Sequence, residues 1–189
     1  MSRHVHGVIL DELRQYVAGR YGYRSWVKTL KLAGHAPVQR YELDEVYPDG
    51  ELALLASHAA EVTGTPLPVL LEGFGEAMVP DMLRVYSYLI QPEWSYADFL
   101  LNMEPVLVKV LQLHTPGATQ AKVHVRRTGP DSLEVVYESP LHACAAVEGV
   151  LIAAAREYGA RAAVVQTQCT LRGDPTCVFS IRIESAGVA

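Results

Sequence analysis

Cysteine is scarce in this chain: there are three thiols in 189 residues, all between Cys144 and Cys177. An odd number confined to the last quarter makes a poor disulfide framework and a better local metal or redox site. Positive charge is also short, with 16 Lys and Arg against 21 Asp and Glu and a net charge of −5. A protein that neutralises nucleic-acid phosphates carries a basic patch or stripe, and the brief Arg126-Arg127 pair is too small to supply one. No nucleic-acid partner is expected. Long apolar runs are missing as well, none approaching the roughly 20 residues of a membrane span, and the opening Met1-Ser-Arg-His-Val-His-Gly7 does not have the pattern of a signal peptide. The expected location is the cytoplasm.

Signatures of catalysis are absent too. There is no phosphate-cradling glycine loop, no His-x-x-x-His, no paired acidic motif with metal spacing and no local Ser-His-Asp arrangement. The acidic pairs Asp11-Glu12 and Asp44-Glu45 read as solvated faces. A sensor or interaction module is expected, and not an enzyme.

What is abundant is apolar surface. Half of the residues are hydrophobic and 20% are charged, which fits one globular domain over residues 1–189, large enough to bury about 70% of the extended chain's surface and to enclose a small ligand. Periodicity divides the chain. Up to about residue 117 the repeat is helical: Val8, Ile9, Leu13, Tyr16 and Val17 recur at three and four, and the pattern restarts over Glu51–Val62 and Leu67–Met78. Breakers fall at Gly34-His-Ala-Pro37, Pro48-Asp-Gly50, Gly64-Thr-Pro66, Pro80 and Gln91-Pro92. A longer helix opens at Ser95, with Asp98 three residues on as a loose capping box, and runs to about His114. Its apolar face is Phe99, Met103, Val106, Leu107, Val110 and His114, and Pro105 in its interior predicts a kink.

Beyond Gly117 the period becomes two. Val123 and Val125, then Leu133, Val135 and Tyr137, alternate with polar residues on either side of the turn Gly129-Pro-Asp-Ser132. An Ala-rich helix follows from Leu141 to Tyr158 and stops at Gly159. Two further strands cover about Arg161–Cys169 and Thr176–Glu184. The predicted architecture is α+β: a helical lobe over 1–92 packed on a lobe over 93–189 that holds the long helix and a four-stranded antiparallel sheet with a covering helix.

Several short motifs keep a characteristic order: the start around Gly7-Val-Ile-Leu10, Tyr21-Gly22 followed by Trp26, Phe74-Gly75-Glu76, Phe99-Leu100, and Tyr137-x-Ser139. In this order they resemble the heme nitric oxide/oxygen-binding (H-NOX) sensor family, which includes the sensory region of soluble guanylate cyclase and stand-alone bacterial gas sensors. The resemblance implies a heme between the two lobes, iron bound to a histidine eight positions after the Phe of Phe-Leu, and propionates held by Tyr-x-Ser-x-Arg. It also implies a signalling partner such as a histidine kinase, a cyclase or a chemotaxis protein.

The sequence departs from that pattern twice. Leu107 stands at the iron-ligand position, and a saturated side chain has no lone pair for iron. The propionate motif reads Tyr137-Glu-Ser139-Pro-Leu141, so two hydroxyls remain and the arginine that would pair with a carboxylate is lost. The pocket implied by the resemblance is then Leu13, Met103, Leu107, Tyr137, Ser139 and Leu141. Three readings stay open: these residues fill the former pocket as core, the pocket takes a small apolar ligand, or heme binds through another residue. For the last, His114 lies two turns, roughly 10 Å, beyond Leu107, and His142 follows Leu141. Each also reads as an ordinary surface or hydrogen-bonded histidine.

The thiols form a second constellation. Some bacterial H-NOX proteins carry a four-cysteine zinc site in the sheet lobe, and the related 4-vinyl-reductase-type sensor domains carry a Cys, Glu, Cys, Cys set. Cys144, Cys169 and Cys177 match three of those ligands in order, and the fourth position, three before Cys169, is Gln166. A neutral amide oxygen is a weak zinc donor. In a regular strand Gln166 and Cys169 also point to opposite faces, so both bind one ion only if the chain bends. The alternatives are two buried thiols, with Cys169 opposite Cys177 across a turn centred on Gly173, or redox chemistry at the thiols. The expected function is a non-enzymatic H-NOX-like sensor that does not bind heme in the usual way and works through a small-molecule pocket or partner docking. A heme-binding gas sensor with a non-standard ligand and a zinc or thiol redox sensor are the alternatives.

Overall fold

The computed structural model describes residues 4–48, 50–114, 122–139 and 143–184, with side chains described in all of these except Leu107 and residues 110–114. Leu141 and His142 lie outside the described residues, as do the side chains of Leu107 and His114. The N-terminal part is helical, as its periodicity predicts. Helix α1 (Gly7–Tyr21) buries Leu10, Leu13 and Val17 at spacings of three and four, and α2 (Tyr23–Leu32) buries Trp26, Thr29 and Leu30. Helices α3 (Gly50–Thr63) and α4 (Leu67–Val85) present Leu52, Leu55, Ala56 and Ala59, and Leu70 and Phe74, to the same cluster. Complete burial of each large aliphatic side chain contributes about 1.5–3 kcal/mol.

Three local expectations change. A two-stranded antiparallel ribbon of β1 (His4–His6) and β2 (Val46–Pro48) sits within the region expected to be all helical. Pro80 lies inside α4 instead of ending it. It is on an exposed position, where solvent can satisfy the carbonyl that a proline leaves without an N–H partner. The long helix after Ser95 is two helices, α5 (Tyr96–Leu101) and α6 (Met103–His114), broken at Asn102. Pro105 therefore falls in the first turn of α6, where a missing N–H loses nothing, and no interior kink is needed. The cap at the start of α5 forms in full: Ser95 Oγ accepts from the Asp98 N–H at 3.2 Å, and the Ser95 N–H donates to Asp98 Oδ2 at 3.0 Å. The Ser95 hydroxyl also donates to Asp98 Oδ2 at 2.6 Å, and this bond together with that from the Ser95 N–H holds the Asp98 carboxyl below its usual pKa.

The C-terminal part is a four-stranded antiparallel sheet in the order β3 (Lys122–Gly129), β4 (Ser132–Glu138), β6 (Cys177–Ile183), β5 (Ala162–Gln168). Alternation fixes its inner face: Leu133, Val135 and Tyr137 on β4 and Cys177, Phe179 and Ile181 on β6 are buried. Helix α7 (Cys144–Glu157) covers that face with Leu151, Ala153, Ala154 and Ala155.

The lobes meet where α4 crosses α7. A side chain on Gly75 would place its Cβ 1.9 Å from the Ala146 carbonyl oxygen, and one on Gly149 would lie 2.0 Å from that of Glu72. Backbone therefore rests on backbone. Each buried cluster contains a residue from the other side of the crossing, Ala146 in the helical one and Val79 in the sheet one. From α5 the buried Tyr96 hydroxyl donates to the Leu151 carbonyl at 2.9 Å, a further tie onto α7. Among the described residues no helix is long and apolar enough to cross a membrane.

Candidate metal centre and adjoining cavity

The three thiols come from three separate pieces of backbone. Cys144 is the first residue of α7, Cys169 directly follows β5, and Cys177 opens β6. Between the last two the chain makes a short 3-10 turn over Thr170–Arg172 and reverses at Gly173, whose φ of 94° is a left-handed conformation suited to glycine. Asp174 Oδ2 accepts from the Cys169 N–H at 2.7 Å, and the Cys169 carbonyl accepts from Arg172 and Asp174 N–H at 2.8 and 3.2 Å. Thr170 brings its backbone N–H and its hydroxyl to Cys177 Sγ, each at 3.5 Å. The turn thus fixes where both sulfurs point.

All three thiols are free and buried, and their Sγ atoms lie within 4.8 Å of one another. Cys144 and Cys169 are 3.6 Å apart, so the thiol pair of the hairpin is joined by a third from α7. Tetrahedral zinc, with Zn–S near 2.3 Å, sets neighbouring sulfurs about 3.8 Å apart. The triad is within about 1 Å of that spacing, and its donors are the soft thiolates that such an ion prefers. The electrostatics are uneven. Burial pushes the Cys144 thiol up to about 11. Burial also opposes ionisation of Cys169, but the backbone N–H groups of Leu171 and Arg172 and the neighbouring thiols outweigh it and hold Cys169 below the ordinary range.

Gln166 reaches this group by a bend in the strand. The β5–β6 register shifts between Gln166 and Gln168, which breaks the alternation that would have sent Gln166 and Cys169 to opposite faces. Both now line one cavity. The Gln166 amide faces Cys144 closely enough to favour its ionisation, although its enclosed Nε2 makes no hydrogen bond of full geometry. Turned over, the same amide would present Oε1, the atom a metal takes. The cavity has a volume of about 370 Å3 and is walled mainly by apolar side chains of α3 and α4, with Cys144, Glu148, Gln166 and Cys169 as its polar and sulfur-bearing members. Burial and the charge of Glu72 raise the Glu148 pKa. Nothing in the sequence periodicity marks this cavity.

The residues implied by the family resemblance are distributed more widely. Leu13 is fully buried in the helical cluster, whereas Met103 packs against the sheet cluster, so the two do not share one buried group. Tyr137 is buried on β4 directly opposite Cys177 on β6. Burial raises its pKa, a bond with Ser139 acts the other way, and Cys144 and Cys177 add to the rise. The structure therefore places Tyr137 beside the thiols, with Ser139 bonded to it. Leu107 is on α6, its side chain outside the described residues, as is the whole of Leu141. Thr170, Asp174, Gly75 and Gly149 were not singled out for these roles. An isolated glycine inside an Ala-rich helix is the one signal that could have pointed to Gly149.

Comparison with known proteins adds the ancestry. The H-NOX protein from S. oneidensis in the Fe(II)NO ligation state shares the fold with a TM-score of 0.86 at 16% identity, over 96% of this chain and 100% of that one. A point mutant of the T. tengcongensis H-NOX gives 0.87 at 16% identity over 96% and 98%. An oxygen-binding H-NOX domain related to soluble guanylate cyclases gives 0.81 at 17% over 96% and 96%. No curated protein matches the chain. A family profile described as haem-NO-binding matches residues 6–166, well over half of the sequence, and the chain belongs to that family.

Proposed function

We propose that this chain is a sensor domain that signals without the usual heme-iron bond, through a zinc ion held by Cys144, Cys169 and Cys177. The observation that carries the reading is the convergence of three buried thiols within 4.8 Å from one helix start and one hairpin turn. The donor set expected for heme does not fit: Leu107 offers iron no electron pair and Leu141 offers a propionate no cation. The donor set at the triad fits a thiophilic divalent ion.

Zinc would supply a non-redox crosslink between the three thiolates. The chain's own groups do the rest. The Leu171 and Arg172 N–H groups favour ionisation of the Cys169 sulfur, Thr170 orients Cys177, and Cys144 commits the first turn of α7. Metal release frees that turn, and the change passes to α4 where the two helices touch backbone to backbone. A partner such as a histidine kinase, a cyclase or a chemotaxis protein reads the altered relation of the lobes. The module senses and does not catalyse, in a reducing cytoplasm where the thiols stay available.

Two measurements test this. Elemental analysis of protein purified without chelator should find one equivalent of zinc, and less than half an equivalent sinks the metal assignment. Heme titration should produce no strong saturable Soret band; such a band at one equivalent overturns the heme-independent reading. Leu107→His is then expected to create iron ligation.

A further inference from the structure

The number of donors at the triad carries an inference of its own. Among the described residues no histidine, aspartate or glutamate brings a ligand atom into the group of three sulfurs, and Gln166 beside it offers a neutral amide, which is a weak donor. Structural zinc sites are almost always closed by four strong ligands. Three thiolates around a divalent ion also leave one net negative charge, and an uncompensated buried charge is costly. No side chain lining the adjoining cavity is cationic, and Glu148 among them is acidic. Such a site holds zinc and can give it up. For a trivalent atom that forms three bonds to sulfur and ends neutral, the same donor set is complete. Trivalent arsenic is such an atom, and its fourth tetrahedral position holds a lone pair, which needs space and no donor.

We infer that the triad is a binding site for trivalent arsenic, taken from uncharged arsenous acid. The inference rests on the reading of Cys144, Cys169 and Cys177 as one centre, with zinc as the resident that the arsenical displaces. Cys144 and Cys169 line the cavity of about 370 Å3, and Leu67 and Leu171 on its walls are exposed, so a small neutral molecule reaches these two sulfurs from solvent. Cys177 does not line the cavity and closes the chelate. At each sulfur an S–H bond breaks and an S–As bond forms, while an As–O bond breaks and the hydroxide leaves with the thiol proton as water. Three such exchanges release three waters, and no atom changes its oxidation state. Where zinc is bound it departs as the hydrated divalent ion, and the hydroxides take their protons from solvent. The product ties the first turn of α7 covalently to both ends of the β5–β6 turn.

The test titrates arsenite into the full chain, as purified and after chelator treatment, with a phosphine as the reductant. Native mass, remaining thiols and released zinc are read on each sample. One arsenic should bind per chain with all three thiols consumed, a mass gain of one arsenic less three hydrogens, and release of any zinc present. Phenylarsine oxide, which bonds to only two thiols, is the control. Cys177→Ser should weaken arsenite binding about a hundredfold, the effect of removing one of several linked contacts, yet still capture phenylarsine oxide through Cys144 and Cys169. Cys177→Ala takes its place should the serine variant fail to fold, as judged by circular dichroism. Arsenite held through two thiols or none, or an unchanged affinity in the folded Cys177 variant, overturns the inference. A chain that carries one equivalent of zinc and captures no arsenic keeps the metal reading and loses this one; a chain without zinc as purified that captures arsenic through three thiols does the reverse.

Discussion

Helix α7 makes two kinds of attachment along its length. At its middle, Gly149 meets α4 with no side chain between the backbones; at its first residue, Cys144 brings its sulfur to 3.6 Å from that of Cys169 at the β5–β6 turn. The first joint is purely steric and the same under all conditions. The second depends on what the sulfurs bind or become. The proposed sensor needs both, one joint that holds and one that changes, and a single helix places them about one and a half turns apart.

The comparison is broken most directly at the steric joint. On an open helix Gly→Ala stabilises by about 1 kcal/mol. Gly149→Ala is expected to do the reverse, destabilising by about 3 kcal/mol because its Cβ would press on the Glu72 carbonyl. Chemical denaturation reads the sign, and a stabilised variant would show that the crossing is loose. The conditional joint should respond to metal instead. At free zinc 100-fold above its dissociation constant, the native protein gains about 2.7 kcal/mol relative to chelated protein. Cys169→Ser should lose most of that gain while differing little from wild type in chelator; a zinc-independent melting temperature in the native chain would refute the distinction. The smallest effect sharpens the steric side. Tyr96→Phe removes the hydroxyl that donates to the Leu151 carbonyl and should cost about 1–2 kcal/mol, equally with and without zinc.

Much of this was legible from residues alone because period and chemistry agreed. Leu133, Val135 and Tyr137 alternate and lie on the buried face of β4; Ser95 and Asp98 make the cap their spacing implies; Gly173 turns the chain between Cys169 and Cys177. Proline was harder to place. Pro80 reads as a breaker, but an exposed position within α4 tolerates it, and Pro105 reads as interior until the break at Asn102 makes it a first-turn residue. The pairing of Val46–Pro48 with His4–His6 escapes periodicity because three-residue strands offer no repeat to detect. At the site, the order of the three cysteines pointed to one cluster. The cavity did not show, since its walls come from α3, α4 and α7 and depend on how those helices pack, which one sequence does not encode in any local pattern.

The register shift in β5 has an effect outside the site. β5 is the outermost strand on its side of the sheet, and its run Ala162-Ala-Val-Val165 has no charged side chain to discourage another chain from adding to it. Val165 is 56% exposed. A flat rim of that composition is a template for intermolecular strand addition and fibrous aggregation. The irregularity between Gln166 and Gln168 interrupts the row of hydrogen-bonding groups and twists the rim, so the bend that brings Gln166 to the thiols also keeps neighbouring molecules from zipping onto the sheet.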